Sequence, residues 1–123
     1  LGNAGSDVLA GDIGNDWLNA GAGNDVLEGG AGNDTMTGGA DSDIFRFDAP
    51  AFGADRITDF DADAGGGQDL IDLSGLGITV ETFAAEVAVS VSGASALVTV
   101  AGGTILLAGV SAAAVDQSDF VLA

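Results

Sequence analysis

Cysteine and histidine are both absent from the chain. No disulfide, zinc finger or iron–sulfur cluster can form, and neither a Ser-His-Asp triad nor a histidine-liganded catalytic metal is available. Without disulfides the redox compartment is left open. Basic residues are almost as scarce: Arg46 and Arg56 stand against nineteen acids, there is no lysine, and the net charge is −17. Nucleic acid is excluded as a partner, because binding phosphate requires a basic surface. One proline rules out collagen and polyproline structures. No apolar run approaches the roughly 20 residues of a membrane span, so none is expected. No N-terminal signal peptide is recognisable and the chain opens on Leu1 rather than Met. The expectation is a fragment of a larger protein that starts inside a repeat array.

What the chain does have is glycine, 21 of 123 residues, well above the usual share of about 7%. Apolar residues make up 47%, enough for one domain with a modest core. Aspartates recur with a period of nine at 7, 16, 25, 34 and 43, within GNAGSDVLA (2–10), GDIGNDWLN (11–19), AGAGNDVLE (20–28), GGAGNDTMT (29–37) and GGADSDIFR (38–46). Two places after each aspartate stands a large apolar residue: Leu9, Leu18, Leu27, Met36 and Phe45. The fourth position is glycine in four repeats and Asp41 in the fifth. Six residues rich in Gly, Asn and Asp make a turn, since these types tolerate positive φ. The next three make a short strand whose middle side chain points one way and its neighbours the other. Stacking such units lines up the middle residues as an apolar seam. Leu18, Leu27 and Met36 are thus expected inside, and Asn19, Glu28 and Thr37 outside. A flexible linker has no reason to keep an apolar residue in phase through five repeats.

The same turns suit a hard divalent cation. Calcium takes six to eight oxygens from carboxylates and backbone carbonyls. Glycine-rich turns expose carbonyls, and the aspartate after each turn adds a charged oxygen. Turns stacked about 4.8 Å apart would bring like charges together, and a chain of charge −17 repels itself when compact. Calcium between the layers relieves both. Magnesium fits less well, because it keeps its waters and resists all-protein cages.

After Arg46 glycine thins out. Residues 47–77 read as an acidic connector and residues 78–123 as strands: 87–92, 96–100 and 104–110, with a hairpin turn at Ala101-Gly102-Gly103. Short helical turns are expected near Glu81–Glu86 and, behind a serine cap, at Ser111–Val115. Asp59, Asp61, Asp63, Asp69 and Asp72 invite an EF-hand reading, but neither register puts the required residues at its key positions. A calcium site of another kind in this loop is the alternative, but these residues read better as solvated acids, with Asp55, Asp69 or Asp72 tying down turns. Trp17 is expected to pack against the C-terminal cap, and Arg46 to pair with carboxylates at the end of the repeat stack.

The nonapeptides resemble the G-G-x-G-x-D-x-U-x repeat of the RTX (repeats-in-toxin) family over residues 2–46. The resemblance implies an all-β fold, a right-handed parallel β-roll with two repeats per coil, capped by an antiparallel β-sandwich-like C-terminal segment. It places calcium between turns on the same edge, pairing Asp7 with Asp25, Asp16 with Asp34 and Asp25 with Asp43. Carbonyls of the turns complete the shells: Gly2, Ala4 and Gly5; Gly11, Ile13 and Gly14; Ala20, Gly21, Ala22 and Gly23; Gly29, Gly30, Ala31 and Gly32; Gly38, Gly39, Ala40 and Asp41. Asn3 and Asp12 at the second position, Ala20 at the first and Asp41 at the fourth depart from the motif. Further along, residues 43–47, DRITDF (55–60) and QDLIDLSGL (68–76) are similar to the C-terminal part of serralysin-type secreted proteins, and Asp119-Phe120-Val121-Leu122 is similar to the terminal motif of type I secretion substrates. The implied function is a non-catalytic, secreted calcium-binding module. Its partners would be several calcium ions, the type I secretion machinery and an upstream domain of the same parent chain. The alternatives are a polysaccharide-binding accessory module, or a structural segment of an adhesin or surface layer.

Overall fold

A computed structural model describes residues 2–49, 52–61 and 68–123. Each repeat sends the chain through a turn and then a strand, and successive strands fall on opposite walls of a roll. The strands are β1 (Val8–Ala10), β2 (Trp17–Ala22), β3 (Val26–Glu28), β4 (Thr35–Ala40) and β5 (Ile44–Arg46). They are followed by β6 (Ala54–Ile57), β7 (Leu70–Asp72), β8 (Val87–Ser92), β9 (Ser95–Val100), β10 (Gly103–Leu107) and β11 (Phe120–Val121). One sheet runs β1-β3-β5-β7-β11 and the other β2-β4-β6-β10-β9-β8. Within the repeats all pairing is parallel and 18 residues out of step, Leu9 beside Leu27 and Leu18 beside Met36. A coil is therefore two nonapeptides, as the resemblance implies.

The apolar seam fills the space between the walls. Leu27, Met36, Phe45, Ile57 and Ile71 are fully buried and Leu18 nearly so. Each such side chain contributes about 1.5–3 kcal/mol by leaving water. Leu9, on the edge strand β1, is only half-buried. Asn19 is exposed, while Glu28 and Thr37 are half-buried on the outer faces. Strands β1, β3 and β5 have the expected three residues. β2 and β4 run on to Ala22 and Ala40, since their Gly and Ala side chains let Gly21 pair with Gly39 and Ala22 with Ala40.

The stretch that reads as an acidic connector carries β6 and β7, and both extend the roll. Ile57 pairs beside Met36, and Ile71 beside Phe45. A short helix, α1 (Phe83–Glu86), leads into the β8–β9–β10 antiparallel meander, whose last strand docks parallel on β6. The chain then returns to the other wall, where β11 lies parallel to β7. The cap thus closes the same edge of both sheets.

Several local expectations are corrected. The hairpin turn is Ala101 and Gly102, both at positive φ (51° and 81°), as a two-residue primed turn requires, and Gly103 already belongs to β10. β10 stops at Leu107, because the Val110 N–H folds back to the Leu107 carbonyl and Gly109 is left-handed. Ser111 does precede a short 3-10 turn, Ala112–Ala114, but its hydroxyl caps nothing; the Ser111 carbonyl accepts from the Ala114 N–H instead. Trp17 does not meet the cap. It lies on the opposite edge strand of its sheet and is 78% exposed. Arg46 is in mid-sheet on β5, with its guanidinium 3.6 Å from the Asp72 carboxylate on β7.

Candidate metal centre

Every repeat aspartate ends its turn just before a strand, so its side chain hangs over the seam between coils. On one edge of the roll the Asp7 N–H donates to Asp25 Oδ1 at 2.7 Å, and the Asp25 N–H to Asp43 Oδ1 at 3.0 Å. On the other edge the Asp16 N–H donates to Asp34 Oδ1 at 2.8 Å. The aspartates paired from the RTX resemblance are therefore neighbours in adjacent coils. Asp25, Asp34 and Asp43 are each 1% exposed.

A second ladder uses the asparagines. Asn15 Oδ1 accepts from the Asn33 N–H, Asn24 Oδ1 from the Ser42 N–H, and Asn33 Oδ1 from the Ala54 N–H. Asparagine at the fifth position is thus a rung between coils as well as a turn-former. Backbone bonds tie the rest of the turns together: Gly2, Gly5, Gly11 and Gly14 donate to the carbonyls of Asn19, Ala22, Glu28 and Ala31. Glycine is required where coils touch. A Cβ on Gly11 would sit 2.7 Å from both the Gly29 carbonyl oxygen and Asp16 Oδ2, and one on Gly23 or Gly32 would collide with the carbonyl of Gly5 or Gly14. Two of the departures, Asp12 (φ 72°) and Asp41 (φ 78°), keep a positive φ where the corresponding glycines lie at 94–127°; Asn3 does not.

Oδ1 of Asp25, Asp34, Asp43 and Asp55 accepts the N–H of the neighbouring coil's aspartate. By contrast, Oδ2 of Asp16, Asp25, Asp34, Asp43 and Asp55 is buried and has no hydrogen-bond partner. A buried anionic oxygen without a partner is strongly unfavourable. Burial, against the help of the Asp25 N–H, pushes the Asp43 carboxyl up to about 7, with the charges of Asp69 and Asp25 adding to the shift. Burial likewise raises Asp55 to about 7 and Asp69 to about 6. A positive charge beside these carboxyls would bring them down again. Among the described residues no three acidic side chains converge on one point, so a cation here takes one or two carboxylate oxygens and completes its shell with turn carbonyls. That donor set is the one calcium accepts.

Two further residues join the aspartate ladders outside the nine-residue period. Asp55 Oδ1 accepts from the Asp34 N–H at 2.8 Å and Asp69 Oδ1 from the Asp43 N–H at 2.9 Å, so both continue the ladders beyond the repeats. Their spacings of 21 and 26 residues hide them from a nine-residue period. The signal that could have found Asp55 is its Gly53-Ala54-Asp55 spacing, which repeats Gly32-Asn33-Asp34. Asp69 also takes the Asp61 N–H, Asp72 the Ser74 N–H and hydroxyl, and Asp59 the N–H groups of Gly38 and Gly39. These acids tie down turns, as expected of Asp69 and Asp72; Asp63 lies outside the described residues.

The sequence profile of the RTX calcium-binding nonapeptide repeat matches residues 1–36 and again 11–45. Two solved structures are similar over the whole chain. One is the R3 subunit of the mannuronan C5-epimerase AlgE6 from Azotobacter vinelandii, 33% identical over 100% of this chain and 81% of that one, with a TM-score of 0.65. The other is the R2 subunit of the same enzyme, 32% identical over 98% of this chain and 90% of that one, also with a TM-score of 0.65. The extracellular lipase LipA of Serratia marcescens shares the fold at 23% identity and a TM-score of 0.57, with 97% of this chain covering 20% of the lipase. No curated protein sequence matches the chain.

Proposed function

We propose that this chain, which belongs to the RTX calcium-binding nonapeptide-repeat family, is a non-catalytic module that couples extracellular calcium to the folding and export of a larger secreted protein. The repeats bind calcium. The observation that carries the rest is the row of buried, unpartnered aspartate oxygens in a chain of charge −17. Where calcium is scarce, the stacked carboxylates repel and the coils come apart. Outside the cell the ions bind, and their binding free energy becomes folding free energy. The partners are several calcium ions, an upstream domain of the parent chain whose folding the roll nucleates, and the type I secretion machinery. That machinery would read the acid-then-apolar segment Asp119-Phe120-Val121-Leu122 while the chain is open. Among the described residues no helix is long and apolar enough to cross a membrane. Circular dichroism tests the coupling: weak strand signal in chelator and full strand signal in millimolar calcium, the range of extracellular sites. Equal order in both conditions would overturn it.

A second reading draws on the full-length likeness to the epimerase R subunits. The chain would then be an accessory segment that holds a polysaccharide for a catalytic domain. Its two arginines alone make a poor surface for an acidic polymer, and bound calcium offsets only part of the charge. Retention of the calcium-loaded chain on a polyuronate matrix, lost in Arg56→Ala, would favour this reading; free passage would exclude it.

A further inference from the structure

The nonapeptide repeats end at Arg46, but the geometry of their turns recurs once more. Gly53 has φ 108°, close to the 112–127° of the fourth-position glycines Gly5, Gly14, Gly23 and Gly32. A Cβ on Gly53 would lie 3.1 Å from Asn33 Oδ1, as one on Gly32 would from Asn15 Oδ1. The Ala54 N–H meets Asn33 Oδ1 at 2.9 Å where, one coil earlier, the Asn33 N–H meets Asn15 Oδ1 at 2.8 Å. Asp55 then stands in the aspartate ladder beside Asp34. Phe52–Asp55 reproduces the backbone of the last four positions of a repeat turn.

We propose that this turn and the turn Gly29–Asp34 above it enclose a further calcium site, with Asp55 Oδ2 as its anionic ligand and turn carbonyls as the remainder. The proposal rests on the calcium reading of the repeats. Asp55 is 3% exposed, and its Oδ2 is buried without a partner, as in Asp25, Asp34 and Asp43. The opposite edge of the roll shows what a closed gap looks like. Asp69 occupies the corresponding ladder position next to Asp43, but the Asp61 N–H takes its Oδ2 at 2.9 Å. An N–H fills the place of the cation there, whereas among the described residues no donor reaches Asp55 Oδ2. The roll therefore carries its calcium one coil further on one edge than the repeat motif indicates.

Asp55→Asn tests this, because the amide oxygen still accepts from the Asp34 N–H while the charge and the free carboxylate oxygen are lost. Calcium titration calorimetry and native mass spectrometry on the full 123-residue chain should show one ion fewer than wild type, with the strand signal retained in saturating calcium. An unchanged ion count and unchanged affinities would overturn the proposal and leave the family reading intact. Absence of calcium binding by wild type would overturn the family reading itself. Should Asp55→Asn not fold, the wild-type chain decides. The aspartate ladder makes three gaps within the repeats, Asp7–Asp25, Asp16–Asp34 and Asp25–Asp43, so native mass spectrometry of the calcium-loaded wild type should show a fourth ion. Three ions would overturn the proposal.

Discussion

Asp41 occupies a position where four repeats carry glycine, and it does so at φ 78°. The left-handed region costs most L-residues roughly 1–2 kcal/mol, with aspartate among the more tolerant. The sequence alone leaves two readings of Asp41 open, a backbone compromise or an added carboxylate ligand. Two substitutions separate them, since both remove the carboxylate and only one keeps a Cβ. Asp41→Gly should leave calcium-bound stability within about 0.5 kcal/mol, while Asp41→Val, β-branched at a positive φ, should lose about 1–2 kcal/mol. Urea midpoints in saturating calcium measure both; equal losses would show that the carboxylate, not the backbone, is what matters. At this scale much was legible. The period fixes which side chains are inside, and Leu18, Leu27, Met36 and Phe45 are buried as the phase requires. The unsatisfied Oδ2 atoms were not legible, because hydrogen-bond bookkeeping needs the neighbouring coil.

At the scale of elements, strands inside the repeats follow from the nine-residue period, whereas β6 and β7 do not. Each enters its wall after a loop that breaks the spacing, and the alternation of Asp55-Arg56-Ile57 or Leu70-Ile71-Asp72 is too short to announce a strand. Pairing partners are non-local, so only the Met36 and Phe45 strands beside them reveal their place. The last strand raises a different question. β11 pairs with β7, Phe120 packs on Phe83 with ring centres 5.0 Å apart, and Asp119 is buried with its oxygens taken by the Gln68 side chain and the Asp116 N–H. In the folded roll Phe120 of the proposed export segment is buried and Val121 and Leu122 are half-buried, so the segment is largely taken up by the fold. Reading by the transporter has to precede folding. Changing Phe120, Val121 and Leu122 to serine in the full parent should both stop export and lower calcium-bound stability, because each role uses the same side chains. Normal secretion with a weakened fold would show that the segment is only a strand.

For the molecule as a whole the governing quantity is charge, −17 on 123 residues, concentrated where the coils touch. Asp43 and Asp55 titrate near 7 and Asp69 near 6 in the fold, chiefly because burial penalises their charged forms. An unfolded aspartate titrates near 3.9. A carboxyl whose folded value lies above its unfolded value binds its proton more tightly when folded. Its stabilising contribution is therefore fully present below about pH 4 and is lost as pH rises through 6 to 7. In chelator the roll should consequently gain order on acidification, with strand signal increasing from about pH 7.5 to about pH 5; lower pH brings the chain to its isoelectric point near 4.1 and invites association. Calcium and protons then compete for the same oxygens. Calcium affinity should fall as pH drops through this window, and binding at pH 7 should release protons. Titration calorimetry in two buffers of different ionisation enthalpy measures that release directly. Equal heats in both buffers, together with a calcium-free chain whose order does not rise between pH 7.5 and 5, would mean that the buried carboxylates stay charged without the metal. The coils would then have to be held together by the apolar seam alone.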